Sequence, residues 1–257
     1  SWALALRLLP REIPSLADLG APPVLESLLA VRDGLLLVGG RTGMGKSTTL
    51  AAFLEEMNVR RAVHIVTLED PVEYEFSPKC GFISQRALGQ DFSSFPLGLR
   101  DALREDPDVI FIGELRERET MRIALQAAES GCLVLATLHT KDAAEAVLRI
   151  EGMFPGEETQ VRSQLSLVLR AVFSQHLLRA AAGGRVLAAE ALVASPAVRS
   201  LIRSGKVAQL RSAILAGGAV GMQTMAQSVE ALFAAQKITR EVRECTLADL
   251  GGVWGEV

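Results

Sequence analysis

The stretch Gly34-Leu35-Leu36-Leu37-Val38-Gly39-Gly40-Arg41-Thr42-Gly43-Met44-Gly45-Lys46-Ser47-Thr48 decides how the rest of the chain is read. Its first six residues are an apolar run bounded by glycines, the pattern of a strand buried on both faces of a parallel sheet. Residues 40–47 match the spacing G-x-x-x-x-G-K-[ST]. Glycines at these positions let successive backbone N–H groups turn inward toward phosphate oxygens. From Lys46 to Met57 apolar residues recur at helical spacing with no Gly or Pro, so a helix follows and aims its positive end at the same phosphates. Gly40, Arg41, Thr42, Gly43, Met44, Gly45 and Thr48 then cradle a nucleoside triphosphate. Lys46 places its ammonium on the β- and γ-phosphates, and Ser47 ligates Mg²⁺ through its hydroxyl. Kinases, GTPases and motor ATPases share such a loop, so it does not by itself choose the reaction.

Working outward, strand and helix patterns keep alternating. Ala62–Leu68, Phe82–Ser84, Val109–Ile112 and Cys132–Leu138 read as strands. Leu97–Glu105 and Thr120–Ser130 read as helices, the second ending at Gly131 as a C-cap. A short helix is expected near Val24–Val31. This alternation predicts an α/β fold with a mostly parallel sheet covered on both faces. Beyond residue 157 the pattern changes. Glu158–Leu169 reads as a helix, and Val172–Leu178 with Arg185–Ala191 reads as a hairpin on the sheet edge. Ser195-Pro196 starts a helix with Ser as N-cap and Pro at the first position. Lys206–Leu215, Met222–Ala235 and Thr239–Leu247 are further helices.

In an open α/β sheet, ligands sit beyond the carboxyl ends of the strands. Three strands here end in polar groups: Glu69-Asp70, Glu114 and His139. Glu114 follows an apolar strand and Gly113, where the usual second nucleotide motif has Asp. It is placed to polarise an attacking water or to hold a magnesium-bound water. Glu69 or Asp70 is expected to face Mg²⁺. His139 is expected at the γ-phosphate. Arginines 100, 104, 116 and 118 crowd the same edge, and Arg104 is a candidate to stabilise charge on a phosphate of a neighbouring subunit.

Composition narrows the partners. A net charge of −3 gives no global basic field for nucleic acid. The three cysteines have no short spacing, which excludes a disulfide framework and a CxxC zinc site. No stretch has the length and apolarity of a membrane span. A reducing, cytoplasmic setting fits best.

Several further segments, in order, make the chain recognisable: TLEDPVEYE (67–75), QRALGQD (85–91), LRDALREDPDVIFIGELRERET (99–120), ALQAAESGCLVLATLHT (124–140) and AVRSLIRSGKVAQLRSAI (197–214). With the phosphate loop they resemble the type IV pilus retraction (PilT-type, twitching motility) ATPases of the type II/IV secretion motor superfamily, from about Leu8-Leu9-Pro10 to the last helices. The resemblance implies a RecA-like P-loop core and a helical C-terminal subdomain. It implies a cytoplasmic homo-hexamer, peripheral at the inner membrane, using ATP and Mg²⁺ to drive pilus retraction on a membrane platform. Residues 1–22 would be the end of a PAS-like N-terminal domain plus linker, residues 23–194 the ATPase core and residues 195–257 the helical subdomain. The family's retraction motif falls on Ala197–Ser204. There Ser200 and Ser204 replace Asn and an acid, which leaves room for an alternative: a nucleotide-binding regulatory subunit with little turnover. A nucleic-acid translocase on the same core would need a basic pore lining, and the charge counts against it. Glu69, Glu114, His139 and Arg104 are the expected catalytic set, and Ser47 with Glu114 the expected metal set.

Overall fold

The computed structural model describes residues 12–252. The expectations resting on residues 1–11, including Leu8-Leu9-Pro10, and on residues 253–257 lie outside them. In chain order the elements are α1 (Pro23–Ser27), β1 (Gly34–Gly39), α2 (Lys46–Arg60), β2 (His64–Glu69), β3 (Phe82–Ala87), α3 (Phe95–Ala102), β4 (Val109–Ile112), α4 (Arg118–Glu129) and β5 (Leu133–Leu138). They continue with α5 (Ala143–Gly152), α6 (Glu158–Val168), β6 (Leu169–Arg179), β7 (Arg185–Val193), α7 (Pro196–Arg203), α8 (Leu210–Ala216), α9 (Met225–Ala234) and α10 (Arg240–Gly252).

One seven-stranded sheet in the order β3-β2-β4-β5-β1-β6-β7 organises them. Every neighbouring pair is parallel except the β6–β7 hairpin, which closes one edge. All six residues of β1 are buried, as its continuous apolar run requires. Alternate side chains feed two layers: Leu35 and Leu37 pack with α3 to α6, whereas Leu36 and Val38 pack with α1 and α2. The chain therefore leaves β1 for one face and leaves β5 for the other. Between two adjacent strands whose connections diverge in this way, a crevice opens at the carboxyl ends. The phosphate loop and His139 stand on its two sides.

Several expected boundaries shift. Glu69 is the last residue of β2 rather than part of the turn beyond it. Leu169 opens β6 instead of ending α6, because there it pairs with Leu35 of β1. Helix α5 was not foreseen in the pattern, although Asp142 caps it by accepting a hydrogen bond from the Glu145 amide. The stretch expected as one helix over Lys206–Leu215 splits into a 3₁₀ turn, Val207–Gln209, and α8. The helix expected from Met222 begins at Met225, because Thr224 and Gln227 form a reciprocal capping box. The helices after Ser195 bury Val198, Ile202, Leu210 and Ile214 in the same layer as α3 to α6. A smaller apolar cluster, with Leu178, Ala188, Val229 and Ile238, ties α9 and α10 to the hairpin. Among the described residues no helix is long and apolar enough to cross a membrane.

Candidate nucleotide site

A cavity of about 720 Å³ lies at the carboxyl ends of β1, β2, β4 and β5. Thr42, Gly43, Gly45, Lys46, Ser47 and Thr48 line it from the loop, Glu69 and Asp70 from β2 and beyond, Glu114 from β4 and His139 from β5. Residues far apart in the chain converge here because parallel strands all point their carboxyl ends the same way.

The loop has the backbone that the glycines predict. Gly40, Gly43 and Gly45 have φ values of +148°, +80° and +79°. A Cβ on Gly40 would also lie 2.9 Å from the Gln175 carbonyl oxygen. The side chains of Arg41 and Met44 turn away from this cavity and line a neighbouring one. Those two positions can therefore serve a phosphate only through their backbone. The Lys46 ammonium donates to the Gly40 and Arg41 carbonyls at 2.8 and 3.2 Å. Burial lowers its pKa, while the charges of Glu114 and Glu73 oppose that shift.

The two candidate acids sit in different environments. Glu69 is only 6% exposed and accepts hydrogen bonds from Thr67 Oγ1 at 2.7 Å and Gln85 Nε2 at 3.4 Å. Burial raises its pKa despite these bonds. Glu114 accepts from Arg116 Nη2 at 2.6 Å, and His139 Nε2 lies 3.1 Å from its Oε1. Partial burial would raise the Glu114 carboxyl, but the Arg116 hydrogen bond and the His139 and Arg116 charges outweigh it and hold the pKa below the ordinary carboxylate range. The acid–histidine contact spans β4 and β5, which are neighbours in the sheet.

Gly113 explains why this strand end carries Gly before Glu. A Cβ there would lie 3.2 Å from the Leu68 carbonyl oxygen and 3.4 Å from Glu69 Cα. The close approach of β4 to β2 leaves little room for a side chain at 113, and the carboxylate that lines the cavity stands one residue on, at Glu114.

Of the four arginines expected at this edge, only Arg116 lines the cavity. Arg100 pairs with Glu119, and Arg118 pairs with Glu157 beside the Phe154 ring. Arg104 sits in the 3₁₀ turn Leu103–Glu105 leading to the amino end of β4, where the Asp108 amide bonds to the His64 carbonyl. Arg104 does not line the cavity, so it does not join the site of its own chain.

Three contributors were missed in the sequence. Gln175 of β6 is 1% exposed and donates to Thr49 Oγ1 at 3.0 Å and to the Met44 carbonyl at 3.4 Å, bracing the loop from below. A glutamine just after the apolar run Ala171-Val172-Phe173 was the available signal. Tyr74 shares a 2.8 Å hydrogen bond with Thr48, and Arg185 Nη1 donates to the Gly43 carbonyl at 3.5 Å.

The donor set fits a phosphate-bound Mg²⁺. Among the described residues no group of three or more His, Cys, Asp or Glu could hold a metal ion unaided. What the cavity offers is a hydroxyl, Ser47, with carboxylates opposite it. Mg²⁺ characteristically takes few protein ligands and completes its shell with water and substrate phosphates.

Comparison with known proteins agrees with this geometry. The family described as "Type II/IV secretion system protein" matches residues 3–245. An uncharacterized Escherichia coli K12 protein, YggR, is 54% identical over 229 residues, which is 89% of this chain and 70% of that protein. The "Type IV pilus retractation ATPase PilT" of Pseudomonas aeruginosa is 47% identical over 236 residues, covering 91% of this chain and 69% of PilT. The crystal structure of the pilus retraction motor PilT with bound ADP superposes with a TM-score of 0.86 at 46% identity, covering 92% of this chain and 68% of that one. On its loop, its strand-end acids and these matches, the chain belongs to the Type II/IV secretion system protein family, in its PilT-type ATPase branch.

Proposed function

We propose that this ATPase works as a subunit of a homo-hexameric motor. It binds ATP with Mg²⁺ in the cavity at the strand ends, and hydrolysis drives retraction of a type IV pilus or the work of a related secretion machine. It would act in the cytoplasm, peripheral to the inner membrane, on a membrane platform. Residues 23–194 would form the ATPase core and residues 195–257 a helical subdomain. The observation that carries the reading is the convergence of Lys46, Ser47, Glu69, Glu114 and His139 on one cavity.

The side chains divide the chemistry. Loop N–H groups and Lys46 would hold the β- and γ-phosphates, the lysine leaving its loop carbonyls for them. Mg²⁺ on Ser47, and through water on Glu114, would neutralise phosphate charge. Glu114 is ionised at neutral pH and is oriented by Arg116 and His139, so it is the better base for the attacking water. Glu69, biased toward its protonated form, is the better hydrogen-bond donor or magnesium-water partner. On this reading Glu114 is the base, where the sequence alone left Glu69 and Glu114 both open. Arg104, absent from its own site, would serve the nucleotide of a neighbouring subunit.

ATP turnover by the intact protein tests the reading. Lys46→Ala is expected to abolish turnover and weaken nucleotide binding. Glu114→Gln is expected to bind nucleotide within a few-fold of wild type and to lower kcat by about 10²–10⁴. Unchanged turnover in Lys46→Ala overturns the chemistry. Tight binding without turnover by the wild type would instead point to a regulatory subunit.

A further inference from the structure

The segment between β2 and β3 brings Asp70 and Glu73 to the nucleotide cavity. Among the described residues, no backbone group from Asp70 to Lys79 is hydrogen-bonded to another backbone group. Side-chain amides take that place. Asn58 of α2 donates to the Ser77 carbonyl at 2.9 Å and accepts from the Lys79 amide at 3.2 Å. Gln85 of β3 donates to the Tyr74 carbonyl at 2.7 Å and accepts from the Phe76 amide at 3.0 Å. Each amide therefore binds the carbonyl of one residue and the N–H of the residue two further on, as a neighbouring parallel strand would.

The two amides hold different halves of the segment. Neither Ser77 nor Lys79 lines the cavity. The second contact of the Asn58 side chain is Glu55 Oε2 on its own helix, at 3.1 Å. Gln85 holds the half next to the cavity, and its Nε2 also reaches Glu69 Oε1 at 3.4 Å. Thr67 donates to the same oxygen at 2.7 Å. Thr67 and Gln85 are register partners, and Thr67 and Glu69 lie two residues apart on β2, so the three side chains share one face of the sheet. Both N–H donors and the oxygen of the Gln85 amide are thereby used.

Tyr74, bound at its carbonyl by Gln85, shares its hydroxyl with Thr48 of the phosphate loop at 2.8 Å. Phe76 packs against the α1–α2 layer. That contact is non-directional and sets the depth of the segment. Its position along the chain is left to the hydrogen bonds, which demand distance and angle.

We propose that Gln85 is a positioning residue for the nucleotide site: its one amide holds the segment that carries Asp70, Glu73 and Tyr74 at the cavity and steadies Glu69 beside it. The proposal rests on the nucleotide-site reading above and adds to it the residue that places the acidic segment.

The intact protein tests it through kcat, ADP affinity and one spectroscopic probe. Tyr74 is the only tyrosine of the 257 residues. Protein grown with 3-fluorotyrosine reports the segment through the ¹⁹F resonance that disappears in Tyr74→Phe. Gln85→Met keeps the length of the side chain and loses the amide. It is expected to lower kcat about tenfold while ADP affinity stays within about twofold, because the loop amides and Lys46 hold the diphosphate. The Tyr74 resonance is expected to shift or broaden, with and without ADP. Gln85→Glu is a second, polar variant that keeps an acceptor for the Phe76 amide. It loses the donors to Tyr74 and Glu69 and is expected to lower kcat at least as far. Wild-type kcat in either variant, or an unmoved Tyr74 resonance in Gln85→Met, overturns the proposal. A parallel fall of ADP affinity and kcat overturns it as well, since that marks general damage to the site. If ADP binds Lys46→Ala as tightly as wild type, the nucleotide-site reading fails instead. The resonance without ADP then still decides whether Gln85 places the segment.

Discussion

At the scale of single residues, environment separates groups that look alike in the sequence. Glu69, Glu114 and Glu190 are all acids in or beside apolar strands. Glu114 meets a guanidinium and an imidazole and is held ionised. Glu69 and Glu190 are desolvated and shift upward, Glu190 to about 7. The Glu190 shift predicts a pH dependence of stability. Between its ordinary value of 4.5 and about 7 the folded chain keeps a proton that the unfolded chain releases. Stability is then highest below pH 4.5 on this account and declines as pH rises through about 7. Such a shift is worth at most about 3 kcal/mol. Urea unfolding of wild type and Glu190→Gln should show the difference moving toward the variant by up to that amount between pH 4.5 and 8. A drift of opposite sign would contradict the burial of a raised acid.

At the scale of elements, β6 does more than complete the sheet. Its parallel pairing with β1 runs from Leu35 to Gly39 and brings Gln175 under the loop. The strand therefore sets the height at which the loop amides meet a phosphate. Gln175→Ala removes two hydrogen bonds in a buried place. It should weaken nucleotide affinity about tenfold and lower stability by about 1–3 kcal/mol. Calorimetric titration with ADP and a denaturant melt would check both numbers. Wild-type affinity would mean that the loop holds its own shape.

At the scale of the whole molecule, the position of Arg104 matters most. It does not line its own cavity, so any work it does on phosphate falls to another copy. Mixing two inactive proteins tests this. Lys46→Ala lacks a nucleotide site but keeps Arg104, and Arg104→Ala is the reverse. In randomly mixed rings about one interface in four joins an intact lysine to an intact arginine. An equimolar mixture, allowed to exchange subunits, should regain roughly a quarter of wild-type turnover. No recovery in mixed rings would assign Arg104 to a surface role.

The linear sequence determined the strand–loop–helix around Lys46, the alternation that makes the sheet, and the candidate groups at the strand ends. These were legible because they depend on near neighbours: apolar period, glycine freedom and the fixed spacing of a phosphate cradle. Tertiary structure decided which of the four arginines reaches the cavity, why Gly113 precedes Glu114, and that Gln175 and Glu190 matter. Those outcomes depend on strand order and on the spacing between strands. Gly113 is crowded by β2, Gln175 acts from β6 onto the β1 loop, and Glu190 of β7 accepts from the first amide of α5, 47 residues away in the chain. No local pattern contains such distances, because long-range pairing and desolvation exist only after the sheet has assembled.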